Sequence, residues 1–160
     1  MASAQSIVVH LQDSLKDFPE FYFSGYTQDA LKEYVEARLT INFLENTPFP
    51  SPEEMGVEYS TYMRGMAETI GEMRRRCLDI LRQGYSDEAE RLLELMDEIY
   101  ALLVTLDYPD AITYGLRRQT DMVRGIIERT RADLTLSLRE QHMQQALKDF
   151  EDRINKNGAV

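Results

Sequence analysis

Two acidic spacings mark the residues of this chain best suited to chemistry. Glu33 and Glu36 stand three positions apart, and Glu68 and Glu72 stand four apart. On an α-helix either separation puts both carboxylates on one face. Four carboxylates converging from two helices would form an oxygen-only site, which suits Mg²⁺, Mn²⁺ or Ca²⁺. A Mg²⁺ ion held by a few carboxylates keeps waters free for phosphate oxygens. Such an ion activates water and stabilises the leaving oxygen in phosphodiester cleavage. A di-iron bundle would need Glu-x-x-His, yet His10 and His142 lie at opposite ends of the chain, far from either pair. Glycosidases use two carboxylates in a sugar cleft rather than four on facing helices. Serine-nucleophile motifs, Gly-rich phosphate loops and zinc spacings are absent from the sequence.

The elements that must position these groups have a helical period throughout. A first helix is predicted around Ser6 to Lys16, with Ile7, Val8, Leu11 and Leu15 as its apolar edge, ended by Phe18-Pro19. The second runs from Thr27, as N-cap, to about Glu45. Ser51-Pro52-Glu53-Glu54 has the N-cap, first-position proline and third-position glutamate that open a short turn, which Gly56 closes. The third helix spans Tyr59 to Gln83 and stops at Gly84, and Ser86 caps a fourth that reaches about Leu106. After a break at Tyr108-Pro109-Asp110 comes the longest helical pattern, from Ile112 towards Asn155-Lys156-Asn157-Gly158, with residues 150–160 expected to fray. The expected architecture is one all-α domain over residues 1–160, an antiparallel bundle of about five to six helices.

The same acidic residues also admit a plain structural explanation. Glu33, Glu36 and Thr40 share a narrow strip on a helix that is apolar on both flanks, where buried carboxylates need partners, a cation or raised pKa values. An exposed strip with Lys32 and Glu36 as an ordinary i,i+4 pair is the alternative. On the third helix Met63, Met66, Ile70, Met73, Cys77 and Leu81 form the apolar stripe, with Glu68 and Glu72 opposite. Arg64, Glu68, Glu72 and Arg76 succeed each other as a solvated salt-bridge ladder would. Gly65 and Gly71, however, flank the acidic strip, and each costs about 1 kcal/mol relative to alanine inside a helix. Their presence points to a close approach by another backbone or a ligand.

Composition narrows the classes further. The 160 residues are 43% apolar and 29% charged, which suits a folded soluble chain able to bury a core. No apolar run reaches bilayer length, and the N-terminus lacks a secretory layout, so a cytoplasmic protein away from membranes is expected. The single cysteine, Cys77, excludes an internal disulfide and a multi-cysteine zinc site. A net charge of −10 opposes broad attraction to nucleic acid. Arginines nonetheless concentrate in the middle and C-terminal half, and their forks suit phosphate.

Several segments together resemble the translin/Trax family, especially its archaeal Trax-like members. They are Glu-Tyr-Val-Glu-Ala at 33–37, Pro-Ser-Pro-Glu-Glu-Met-Gly-Val at 50–57, Tyr62 to Glu72, and the run from Gly84 to Thr135. That last run includes Asp107-Tyr108-Pro109-Asp110, Gly115-Leu116-Arg117-Arg118 and the stretch from Glu128 to Thr135. The resemblance implies an all-α translin-type subunit in a closed octameric homo-oligomer that holds RNA inside. It also implies binding of single-stranded RNA, with single-stranded DNA as a second ligand. Trax-type catalytic and metal-holding carboxylates fall on Glu33, Glu36, Glu68 and Glu72, with Glu36 and Glu72 as primary ligands of Mg²⁺ or Mn²⁺. Glu68 stands where the Trax pattern has aspartate. Residues 1–24 correspond to a shortened N-terminal region. Inner phosphate contacts are assigned to Arg75, Arg117, Arg118, Arg124 and Arg131.

The function expected from all this is a metal-dependent endoribonuclease. Two alternatives stand beside it. One is a non-catalytic shell that binds single-stranded nucleic acid. The other is an all-α nucleoside triphosphate pyrophosphohydrolase, which also sets Glu-x-x-Glu and a second acidic pair on helices.

Overall fold

Local signals in the chain account for most of the helix boundaries. The structure, a computed structural model, describes residues 2–106 and 108–157; Asp107 of the run that resembles the family and Gly158 of the expected tail lie outside the described residues. The long helices are α1 (Ala2–Leu15), α3 (Gly25–Glu45), α5 (Tyr59–Leu81), α6 (Asp87–Val104) and α8 (Leu116–Asn157), with the short turns α2 (Pro19–Tyr22), α4 (Pro52–Met55) and α7 (Asp110–Thr113) between them. Among the described residues there is no strand, and no helix is long and apolar enough to cross a membrane.

The Ser51 capping box forms as read: the Ser51 hydroxyl accepts from the Glu54 N–H, and the Glu54 carboxylate accepts from the Ser51 N–H. Gly56 follows in the left-handed conformation at φ 68°. Ser86 caps α6 by accepting from the Glu88 N–H. Thr27 does not cap α3. The α2 turn leads straight into that helix at Gly25, with Ser24 at the cap position, and the Thr27 hydroxyl donates to the Phe21 carbonyl at 2.8 Å instead. A second departure is the α7–α8 junction. Tyr114 and Gly115 adopt φ of 52° and 83°, so the last helical pattern is interrupted once more before Leu116. α8 then continues to Asn157 for 42 residues.

α5 is the central helix, and α3, α6 and α8 each pack on it. Gln28 with Thr61, Asp29 with Arg64 and Lys32 with Glu68 advance together, so α3 and α5 run in the same sense. The connection over residues 46–58 makes this possible by carrying the chain back along the bundle. α8 also follows α5, pairing Gln119 with Glu68 and Thr130 with Arg74. α6 runs against both of them. The core joins Leu31, Val35, Leu39 and Phe43 of α3 to Met66, Ile70, Met73 and Cys77 of α5, and to Leu92, Met96, Ile127 and Leu134 beyond. Cys77 is fully buried, and burial pushes its thiol up to about 11, so it is an inert packing residue.

Gly65 marks the tightest approach between α3 and α5. A Cβ there would lie 2.7 Å from Val35 Cβ and 2.9 Å from the Lys32 carbonyl oxygen. The close backbone approach inferred from the glycines therefore exists at Gly65, whereas Gly71 is exposed and faces open space. Gly65→Ala should accordingly cost about 1–3 kcal/mol through forced displacement of α3. Gly71→Ala should gain about 0.5–1 kcal/mol through helix propensity. Urea denaturation of the two variants measures both, and equal effects at the two positions would refute the packing role of Gly65.

Candidate metal centre

The Gly65 contact brings the acidic strips of α3 and α5 together. One carboxylate oxygen each from Glu33, Glu36 and Glu68 lies within 4.8 Å of the others. Glu33 is exposed, while Glu36 and Glu68 are half-buried. Glu72 follows Glu68 one turn later on α5 and remains outside this tight group. Its carboxylate makes a loose contact with Arg75 at 3.8 Å, yet its charge reaches Glu36.

Lys32 projects into the middle of the cluster. Its Nζ donates to Glu68 Oε1 at 2.8 Å, approaches Glu68 Oε2 at 2.6 Å and lies 3.4 Å from Glu33 Oε1. The side chain is only 12% exposed. Lys32 therefore bridges helices and is not the local i,i+4 partner of Glu36. Burial acts to lower its pKa, but the hydrogen bonds and charges of Glu68 and then Glu33 prevail and hold it above the ordinary lysine value. From α8, Gln119 Nε2 donates to Glu68 Oε1 at 3.3 Å, while the Oε1 of the same amide is buried without a hydrogen-bond partner. The salt-bridge ladder on α5 does not form, because Arg64 turns to Asp29 at 2.9 Å.

Glu36 carries the electrostatic tension of the site. Burial first, then the charges of Glu68, Glu33 and Glu72, raise its pKa above the ordinary carboxylate value, and Lys32 only partly opposes them. The donor set suits a hard cation: oxygens only, from two helices, with an orphaned amide oxygen beside them. Oxygens around Mg²⁺ at about 2.1 Å stand roughly 3 to 4 Å apart, so small side-chain rotations would close the group.

The arginines are distributed differently. Arg75 is the one member of the proposed set on α5, and it is largely exposed beside Glu72. Arg117, Arg124 and Arg131 recur every seven residues along α8. That row is turned about 120° to 160° from Gln119, the residue that faces the acidic cluster, at about 100° per residue. Arg131 is bound to both carboxylate oxygens of Asp97 and Arg124 pairs with Glu128, while Arg117 lines a groove with Tyr100, Tyr108 and Thr120. Arg118 is exposed. Within this chain the fold thus separates the α8 arginine row from the carboxylates.

No family model matches the chain. The crystal structure of AfC3PO is similar at 33% identity and a TM-score of 0.71, covering 83% of this chain and 71% of that one. AfC3PO bound to duplex RNA gives 34% identity and a TM-score of 0.74, covering 81% of this chain and 67% of that one. The chain belongs to the translin/Trax family. A further relative by fold is apo-NeC3PO, at 28% identity and a TM-score of 0.72 over 83% of this chain and 69% of that one. These C3PO chains come from archaeal and fungal sources. An uncharacterized protein of Methanocaldococcus jannaschii is 32% identical over 137 residues, which is 85% of this chain but 60% of that protein. The match thus spans three fifths of the length of that archaeal relative.

Within this translin/Trax chain, Lys32 and Gln119 are residues of the candidate site that sequence reasoning does not find. Local spacing assigns Lys32 to Glu36, and nothing local links Gln119 to a glutamate 51 positions away. The pKa of Glu36 gives a sign for the stability effect of the cluster. A carboxyl raised in the folded state stabilises the fold while protonated, and that contribution is lost as pH rises through the raised value. Without metal, Glu36→Gln should therefore melt higher than the parent at pH 7–8, and the gain should vanish at pH values below the ordinary value of 4.5. Thermal melts across that range in chelator provide the check, and a variant less stable at pH 8 would contradict the assignment.

Proposed function

We propose that this chain is a Mg²⁺- or Mn²⁺-dependent endoribonuclease that binds and cleaves single-stranded RNA within a homo-oligomeric shell. The observation that carries the proposal is the convergence of three carboxylates from two helices, one of them held at raised pKa by burial and by its neighbours. Glu36 would be the first ligand of the cation, with Glu33 and Glu68 completing the group and Glu72 joining from the next turn. When bound, such an ion supplies charge stabilisation for a phosphodiester in cleavage and lowers the pKa of water. Gln119 fixes the orientation of Glu68.

Kinship with C3PO, one member of which is described in complex with duplex RNA, supports RNA as the substrate class. The homo-oligomeric part is supported by α8. Beyond Leu138 its described side chains are all exposed, and Leu136, Met143, Leu147, Phe150 and Ile154 recur at the four- and seven-residue spacings of a helix that packs against another. A shell also reconciles the net charge of −10 with an anionic substrate, since its outer and inner faces are separate surfaces.

The decisive assay incubates the chain with labelled single-stranded RNA, single-stranded DNA and a nucleoside triphosphate in parallel, with Mg²⁺, Mn²⁺ or chelator. RNA fragments should form only with metal. Glu36→Gln should reduce cleavage by at least about 100-fold, the effect of losing several kcal/mol of charge stabilisation, while RNA retention on a filter persists. Retention without fragments under any metal would leave a non-catalytic RNA-binding shell. Turnover of the triphosphate alone would indicate a pyrophosphohydrolase.

A further inference from the structure

We propose that Lys32 is the resident cation of the carboxylate site: in the metal-free protein its ammonium holds Glu68 and Glu33, and an entering divalent ion displaces it from Glu68. This rests on the divalent-cation reading above and assigns a role to a residue which that reading leaves unused.

The first argument is occupancy. Lys32 Nζ engages both oxygens of Glu68, at 2.8 and 2.6 Å, and Gln119 takes a further position on Oε1 at 3.3 Å. An ionised carboxylate offers about four acceptor positions, so little of Glu68 is left for a metal while Lys32 stays. The second argument is the cost of leaving. An ammonium on a side chain only 12% exposed is tolerated only with partners, and three clustered carboxylates without a cation would repel one another. Lys32 therefore leaves when another positive charge replaces it. The third argument is mechanical. The Lys32 carbonyl is held against Gly65, so the backbone is anchored, whereas the four-carbon stem has rotatable bonds of its own. Exchange of one cation for the other thus needs rotation about side-chain bonds and no shift of α3. Lys32 is in this sense a positioning residue. It keeps the glutamates gathered before the ion arrives and sets the ion's affinity by competition.

Wild-type protein supplies the first test. Amine acetylation read by peptide mass spectrometry, in chelator and then with saturating Mn²⁺, reports how free the ammonium is. Lys32 should be strongly protected in chelator and become several-fold more reactive with Mn²⁺, while the exposed Lys148 and Lys156 stay unchanged. Protection that persists or deepens with Mn²⁺ would mean that Lys32 remains in place as a second positive charge, and the displacement proposal would fall. The second test is calorimetric titration of Mn²⁺ into the parent and into Lys32→Met. The variant should bind about tenfold more tightly, the factor expected when one charge-assisted hydrogen bond need not be broken. Equal or weaker binding by the variant would overturn the competition while leaving the metal site intact. No Mn²⁺ binding by either protein would remove the divalent-cation reading, and the Lys32 role with it.

Discussion

The contact at Gly65 is the constraint on which the rest of the structure depends. Without a side chain at that position, α3 lies against α5 closely enough for the Lys32 carbonyl and Val35 to fill the space a Cβ would take. The two helices run in the same sense, so residues one turn further along each meet in turn. Gln28 finds Thr61, Lys32 finds Glu68, and Glu33 and Glu36 come up beside Glu68. The Thr69 hydroxyl donates to the Gly65 carbonyl at 2.9 Å and so satisfies a polar group in a fully buried stretch. Packing below the site and geometry within it are the same contact viewed from two sides.

Electrostatics then decides what the geometry is worth. Carboxylates within 4.8 Å of each other oppose folding unless something offsets their repulsion. Lys32 and Gln119 do so for Glu68, and Lys32 does so weakly for Glu33. Glu36 is left half-buried among neighbouring negative charges, and burial first and those charges second raise its pKa. The cluster is thus compensated on one side and strained on the other. A positive charge would be most stabilising beside Glu36, which is the physical reason for ranking it first among the ligands.

The basic residues follow a different logic. Arg74 bonds the Thr130 hydroxyl and pairs with Asp133, Arg91 pairs with Glu88 and reaches the Phe43 carbonyl, and Arg131 is held by Asp97. Several arginines of the middle and C-terminal half therefore clamp helices to one another. Their type alone said phosphate or carboxylate, since the guanidinium fork fits both. Partners within the fold had already claimed several of them.

Much of the fold could be read from the chain because its signals are local. The Ser51 capping box, the Ser86 cap, the left-handed glycines at Gly56 and Gly84 and the apolar stripe of α5 each depend on residues within a turn or two of one another. The acidic pairs were legible for the same reason, because helix periodicity fixes which side chains share a face. The break at Tyr114–Gly115 is not legible in the same way, since an apolar period of 3.6 continues across it and masks two residues in the left-handed conformation. Only tertiary structure decided that α3 and α5 run in the same sense, that Gly65 rather than Gly71 is the point of contact, and that Lys32 and Gln119 belong to the site. Those facts depend on pairs 30 to 51 positions apart, brought together by the return of the chain through residues 46–58 and by α8 lying on α5. Sequence periodicity specifies the face of a helix, whereas the face it meets is set by how several helices bury their stripes at once.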